Sequence, residues 1–422
     1  MKTLITSTYD IEGGAARAAY RLHQGLQNAG IDSKLLAQHK SSEDYHVSAP
    51  STRLTQSLAN SRITVDLLPT KLYTQRKSGG FSVQWLPESI ATKVKNINPD
   101  IVNIHWINQG FMRIETLAKI NKPLVWTLHD MWAFTGGCYY SGDCHSYKFS
   151  CGNCPQLNSK QDLDLSRWIW WRKAKSWKNL NLTIVTPSNW LAECARASSL
   201  FKDFRIEVIP NGIDLSLYRP IDKKTARELL GLPVDKTLVL FGSLAATKDQ
   251  RKGYHLLRSA IEKLDTPQWQ DKLELVVFGA SKPNNTPADE LNFPINYLGK
   301  LNDDLSLVLA YSAADVFVLP SLQDNLPNTG IESLACGTPC VGFDVGGIKD
   351  FIDRHKNGYL ATPYEVDDLA RGINWILEDK QRYSQISSSG RSKIENSFTN
   401  TIQAEKYQAL FQDILSEQKK SL

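Results

Sequence analysis

Short runs of apolar residues alternate along this chain with stretches whose apolar positions recur every three or four residues. The short runs predict strands at Lys2–Ser7, Ser33–Ala37, Ile101–Ile104, Leu124–Leu128, Leu182–Thr186 and Ile206–Ile209. A second series follows at Leu238–Phe241, Leu273–Phe278, Ile295–Tyr297, Val316–Leu319 and Pro339–Gly342. Helical spacing covers Ala15–Ala29, which ends at Gly30, then Lys252–Lys263, Asp304–Ala310, Asn328–Ala335 and Val366–Glu378. Short strands separated by helices close into parallel sheets through right-handed crossovers. Two such series predict an α/β chain of two doubly wound, Rossmann-like domains. The turn Val208–Asp214 closes the first series, which places domains at 1–214 and 215–398 and leaves a C-terminal helix over 399–422 that packs back on the first domain. Ligands of doubly wound sheets bind beyond the carboxyl ends of the strands. Two sheets facing each other would therefore hold substrate in an interdomain cleft.

Composition narrows the class without naming it. The 422 residues exceed one ordinary core, and 41% hydrophobic with 22% charged content is that of a water-soluble globular chain. The net charge of +5 is mild and does not point to nucleic acid. No run of about eighteen apolar residues suggests a membrane span. The first residues, Met1–Ser7, form a short strand rather than a secretory leader, so a cytoplasmic protein is expected. Cys194, Cys336 and Cys340 sit in apolar contexts and read as buried small hydrophobes.

The densest chemistry lies in Pro320–Val341. A Pro- and Asn-rich turn joins the apolar run Val316–Leu319 to a helix beginning at Asn328, and carries Asp324 and, beyond it, Glu332. Asn328 and Thr329 are good capping types, so the N–H groups of a new helix should face the same space as Asn325 and the two carboxylates. Helix N-termini attract phosphate, and carboxylates accept hydroxyl protons. A ligand with phosphate at one end and a polyol at the other meets both demands, as a nucleotide sugar does.

This segment resembles the donor-site signature of retaining GT-B-fold glycosyltransferases of the large sucrose-synthase-like family, also known as glycosyl transferases group 1. Phe241-Gly242 through Arg251-Lys252-Gly253, Val276–Gly279, Tyr297–Gly299 and Asn357–Leu360 match in the same half. In the other half Gly13-Gly14-Ala15, Leu128-His129-Asp130, Thr186-Pro187-Ser188 and Ile209–Asp214 match. Two departures stand out: Asp324 where the family usually has Glu, and Ser243 where it often has Arg. The resemblance implies transfer of a sugar from a UDP-, GDP- or ADP-linked donor to a sugar, lipid-linked or small-molecule hydroxyl, with retention and without a catalytic metal or cofactor. It places Glu332 on the ribose, Asp324 on the donor sugar, and Arg251 and Lys252 on the diphosphate. Gly13, Gly14, Gly242 and Gly279 line the donor, and His129 lies near donor sugar and acceptor. Cell-surface polysaccharide or glycoside synthesis is the implied setting. The rival readings are an inactive nucleotide-sugar-binding homologue or interaction subunit, which Asp324 would favour, and a nucleotide-sugar epimerase.

Two features fall outside that pattern. Cys138, Cys144, Cys151 and Cys154 lie within seventeen residues and end in a Cys-Gly-Asn-Cys knuckle. Such spacing suits a structural zinc that staples the loop beside His129, ahead of free thiols and a redox pair. A subset of bacterial family members resembles this chain in the loop. Arg167–Lys178 mixes Trp with cations. It predicts a helix that buries Trp and solvates Lys and Arg, with peripheral contact at the inner face of a membrane as the alternative.

Overall fold

The computed structural model describes residues 1–77, 79–282 and 291–420. They form two compact units, one of 1–212 with 400–422 and the other of 213–399. The first holds strands β1 (Lys2–Tyr9), β2 (Asp32–His39), β3 (Val47–Ser48), β4 (Ile101–Ile104), β5 (Leu124–Thr127), β6 (Leu182–Thr186) and β7 (Arg205–Val208). The second holds β8 (Thr237–Gly242), β9 (Leu273–Phe278), β10 (Ile295–Gly299), β11 (Val316–Leu319), β12 (Cys340–Phe343) and β13 (Gly358–Ala361). Every neighbouring pair is parallel, in the orders β3-β2-β1-β4-β5-β6-β7 and β10-β9-β8-β11-β12-β13. Both sheets are doubly wound, and the order reverses between β1 and β4 and between β8 and β11.

The strands read as unbroken apolar runs because both faces are covered. Along β8, Leu238 and Leu240 enter one core while Val239 and Phe241 enter the other. In the first sheet Leu4, Val102, Leu124 and Ile184 face one core, and Ile5, Ile101, Val125 and Val185 the opposite one. Cys336 and Cys340 are buried in a core of the second unit, as small hydrophobes.

After the second unit the chain returns to the first as the helix Asn400–Lys420. It buries Ala404, Tyr407, Phe411 and Ile414 against the helix Gly14–Asn28 and the sheet. Gly25 permits this approach, since a Cβ there would sit 3.1 Å from the Asn400 carbonyl oxygen. Tyr407 Oη meets Thr127 Oγ1 at 2.7 Å under the end of β5. No helix among the described residues is long and apolar enough to cross a membrane.

The helix Leu165–Trp177 inverts the expected polarity. Ile169 and Trp177 are buried, but so are Arg172 and Lys173, whereas Trp168 and Trp171 are about half exposed. The cations go inside because their donors are met there. Arg172 grips both Glu115 carboxylate oxygens at 2.7 and 2.8 Å and the carbonyls of Val83 and Gln84. Lys173 donates to the carbonyls of Trp132 and Thr135. Buried cations with satisfied donors are tolerated where bare ones are not.

Candidate active site

At the reversal point of the second sheet, β8 and β11 release the two loops that carry most of the predicted donor residues. Gln250–Lys252 form a short 3-10 turn, and the helix predicted from Lys252 starts at Tyr254. Gly253 lies between them at φ +71°, where a Cβ would stand 1.8 Å from the Pro320 carbonyl oxygen. The loops are further joined by Leu322 N–H to the Arg251 carbonyl (2.8 Å) and Arg251 Nη1 to the Gln323 carbonyl (2.9 Å). Close backbone approach therefore sets Arg251 and Lys252 beside Asp324.

Asp324 is buried, with Lys252 Nζ 2.6 Å and Arg251 Nη1 3.4 Å from its Oδ2. Asn325 N–H donates to Oδ1 at 3.1 Å, and Asn325 is itself buried. Burial alone would push the Asp324 carboxyl up; the Lys252 and Arg251 charges outweigh it, and the net shift is down. For Lys252 burial lowers the pKa, and Asp324 only partly restores it. Asp249 Oδ2 takes a second contact from Arg251 at 3.1 Å.

Glu332 lies inside the helix Asn328–Ala335, 2% exposed, with Oε2 accepting from Tyr311 Oη at 2.8 Å. Neither Asn328 nor Thr329 caps that helix. Pro327 holds the N-cap position, and no side chain closes the first turn. Proline fits there because its fixed φ leads into a helix and its missing N–H is not needed. Gly242 ends β8 against the Phe278 ring, 2.2 Å from where a Cβ would be. Gly279, at φ +80°, crosses the Ser243 carbonyl, which stands 1.8 Å from such a Cβ. Ser243 brings no charge. Asp303 is a helix N-cap, accepting from Ser306 N–H at 2.8 Å.

The first unit has a pocket at its own reversal point, where β1 and β4 part. Gly13 precedes the helix Gly14–Asn28 at φ +91°, a conformation that suits glycine alone, and no side chain caps that helix. β5 ends at Thr127, so His129 and Asp130 belong to the loop beyond it. His129 Nε2 meets His105 Nδ1 at 2.9 Å, and His105 Nε2 meets Asn103 Oδ1 at 2.9 Å. Asn103 Nδ2 donates to the Val125 carbonyl and Thr127 Oγ1, which turns its Oδ1 toward His105. The proton pattern follows: His105 carries hydrogen on Nε2, His129 donates from Nε2, and His129 Nδ1 is its acceptor nitrogen. Burial lowers His129 to about 4 and His105 well below its ordinary value, His129 lowering it further. Both rings are neutral at pH 7.

Asp130 Oδ2 accepts from Trp106 Nε1 and Oδ1 from Trp132 N–H, each at 2.8 Å. A cavity lined by His105, Trp106, Asn108, His129, Asp130 and Trp132 opens there. The sequence reading missed His105, Asn103 and Tyr311. His105 had a signal, since it follows Ile101–Ile104 as His129 follows the next strand.

Two family models match the chain: Glycosyltransferase Family 4 over residues 12–217 and Glycosyl transferases group 1 over residues 222–393. Among curated relatives, "Putative colanic acid biosynthesis glycosyl transferase WcaC" of Escherichia coli is 27% identical over 416 residues, 91% of this chain and 95% of that one. D-inositol 3-phosphate glycosyltransferase 2 of Catenulispora acidiphila is 30% identical over 46% of each chain. Among solved structures, sucrose-phosphate synthase from Thermosynechococcus elongatus gives a TM-score of 0.66 at 17% identity, covering 99% of this chain and all of that one. Anabaena Alr3699/HepE, solved with UDP and with UDP-glucose, gives 0.64 at 17% identity over the full length of both.

Proposed function

Because the chain belongs to the group 1 glycosyltransferases and has their two-sheet GT-B fold, we propose that its second unit binds a nucleotide sugar and its first the acceptor hydroxyl. The observation that carries this is the pairing of half-buried Lys252 with buried Asp324, beside Arg251, at the reversal point of the second sheet. Breaking the anomeric bond places charge on the departing diphosphate. Fixed cations lower that barrier more than they strengthen ground-state binding. Asp324 then serves two ends, holding Lys252 in place and offering acceptor capacity to sugar hydroxyls. Glu332, braced by Tyr311, takes the ribose hydroxyls. Among the described residues the side chains at this site include cations for a leaving group and no base–nucleophile pair, which supports a front-face transfer with retention. In that route the departing phosphate oxygen receives the acceptor proton.

The WcaC likeness supports an acceptor in cell-surface polysaccharide synthesis, and the UDP complexes of the Anabaena neighbour make UDP-sugars the first donors to test. A thermal-shift panel of UDP-, GDP- and ADP-sugars, followed by nucleoside diphosphate release with the hit, should give one donor class and turnover. Binding without turnover for any acceptor would favour the inactive homologue. No shift with any donor would refute the reading. Trp168 and Trp171, about half exposed, and Lys175 over the Trp171 ring support contact with an anionic membrane carrying a lipid-linked acceptor.

A further inference from the structure

A cluster of metal-ligand side chains lies in the first unit, where the helix Gly14–Asn28 meets the loop from β2 to β3. The helix buries Ala19, Leu22 and Leu26 against the sheet, and His23, one position beyond Leu22, is fully buried with them. Its Nδ1 is 2.8 Å from Ser33 Oγ on β2. Its Nε2 makes no hydrogen bond within the described residues, yet stands 3.5 Å from Asp44 Oδ2. His46 Nδ1 lies 3.4 Å from the other oxygen of that carboxylate, Oδ1. Counting one carboxylate oxygen, the three ligand atoms all lie within 4.8 Å of one another. A buried imidazole nitrogen without a partner is unfavourable, and a lone pair turned toward a carboxylate is repelled as well. A cation between them removes both penalties.

We propose that His23 Nε2, Asp44 and His46 Nδ1 bind one divalent ion of the zinc class, which clamps the helix Gly14–Asn28 to the loop 40–46. In this arrangement Ser33 Oγ accepts Nδ1–H and fixes the tautomer whose lone pair leaves from Nε2, as an outer partner does for a metal-bound histidine. Asp44 is steadied by Tyr20 Oη, 3.2 Å from Oδ2, and by His46 N–H, 2.8 Å from Oδ1. Ligands at about 2.0–2.1 Å around a tetrahedral zinc stand roughly 3.3 Å apart. The two separations at Asp44 are close to that. The side chains of His46 and Asp44 are 32% and 14% exposed, which leaves the fourth position to water. Asp10 accepts Ser41 N–H and Ser42 N–H at 2.9 Å, so Asp10 and the ion hold the two ends of one loop.

The loop of Cys138, Cys144, Cys151 and Cys154, whose spacing suggested zinc, is not such a site. Among the described residues no three of its sulfurs come within ligand distance of one another. Burial pushes Cys138 and Cys154 toward the thiol and Cys151 up to about 12, and turns Lys173 beside them toward the neutral amine. Packed thiols fit those surroundings, and a tetrathiolate does not.

The test is titration of chelator-treated full-length protein with zinc alone, read by affinity, melting temperature and hydrogen exchange. One ion per chain is expected, and saturation should raise the melting temperature by several degrees. His46→Gln, at a partly exposed loop position that leaves the core untouched, should weaken zinc at least about 100-fold. Ser33→Ala should weaken it roughly 10–100-fold. Amide exchange at 20–26 and 41–47 should slow when zinc binds. Cobalt should give the visible absorption of nitrogen and oxygen ligands without the near-ultraviolet band of thiolate ligation. No binding by wild type, or wild-type affinity in His46→Gln, would overturn the site. Wild-type affinity in Ser33→Ala would overturn Nε2 as the ligand atom. Slowed exchange at 138–154 or a thiolate band would place the ion on the cysteines and refute the assignment. Donor binding by the second unit should be the same in His46→Gln as in wild type, so this site and the transfer reaction stand or fall separately.

Discussion

Two pockets occupy the same topological position in two sheets and are built from opposite chemistry. In the second unit Lys252, Arg251 and Asp324 are fixed by mutual charge, and Glu332 waits beside a tyrosine hydroxyl. In the first, His105 and His129 are neutral, bonded directly to each other with Asn103 behind His105, and walled by tryptophan. A doubly wound sheet supplies the place, and the loop residues decide what it accepts. Charges suit a diphosphate. Neutral imidazoles and aromatic walls suit an uncharged hydroxyl-bearing ligand.

The contrast breaks most sharply at Lys252. Lys252→Ala should lower nucleoside diphosphate release by at least about 10²–10³-fold. It should also lower the melting temperature, because Asp324 is left buried with only the more distant Arg251. Adding Asp324→Asn should restore the melting temperature and none of the activity. Activity restored with stability would show that Lys252 matters only as a structural partner.

Glu332→Gln should weaken donor binding by roughly 10–100-fold, the worth of a hydrogen bond to a charged group. Tyr311→Phe should cost several-fold, read as a change in KM with little change in kcat. In the histidine pocket, His129→Ala should slow turnover by about 10²-fold without moving donor affinity. If His129→Ala instead weakens the donor, the division of labour between the units fails.

Acid should distinguish the pockets by a smaller effect. The folded pKa values of His23 and His129, each about 4, lie below their ordinary 6.5. The unfolded chain therefore binds more protons between these limits. Their contribution to stability is full above pH 6.5 and is lost as pH falls toward 4. Asp324, shifted downward from 3.8, keeps its contribution until the pH falls below that value. Melting curves from pH 7 to 4 should show the first unit weakening first, and His129→Gln should flatten that slope.

The alternation of apolar runs was enough to read both sheets apart from Val47–Ser48 and Gly358–Ala361, because strands covered on both faces carry a strong signal. Ile101–Ile104, Leu182–Thr186, Leu273–Phe278 and Val316–Leu319 are strands over those same residues. The helix Lys380–Ser397 was not legible, since Ile386, Gly390 and Ile394 are its only buried positions in a polar stretch. Pro327 displaced Asn328 as the cap because backbone preference outweighed side-chain capping. Lys252 and Glu332 could be read because their spacing lies along one chain. The His105–His129 contact joins two loops twenty-four residues apart, and only the pairing of β4 with β5 brings them together. Nor does any local pattern announce that Arg172 and Lys173 turn inward; that depends on Glu115 and on carbonyls far along the chain.

The role proposed for Lys252 is to serve the diphosphate and not the nucleoside. Isothermal titration of wild type and Lys252→Ala/Asp324→Asn with the matching nucleoside and nucleoside diphosphate separates the two. The variant should bind nucleoside as wild type does and lose the added affinity that the diphosphate confers. Equal loss for both ligands, or no loss for either, would contradict it.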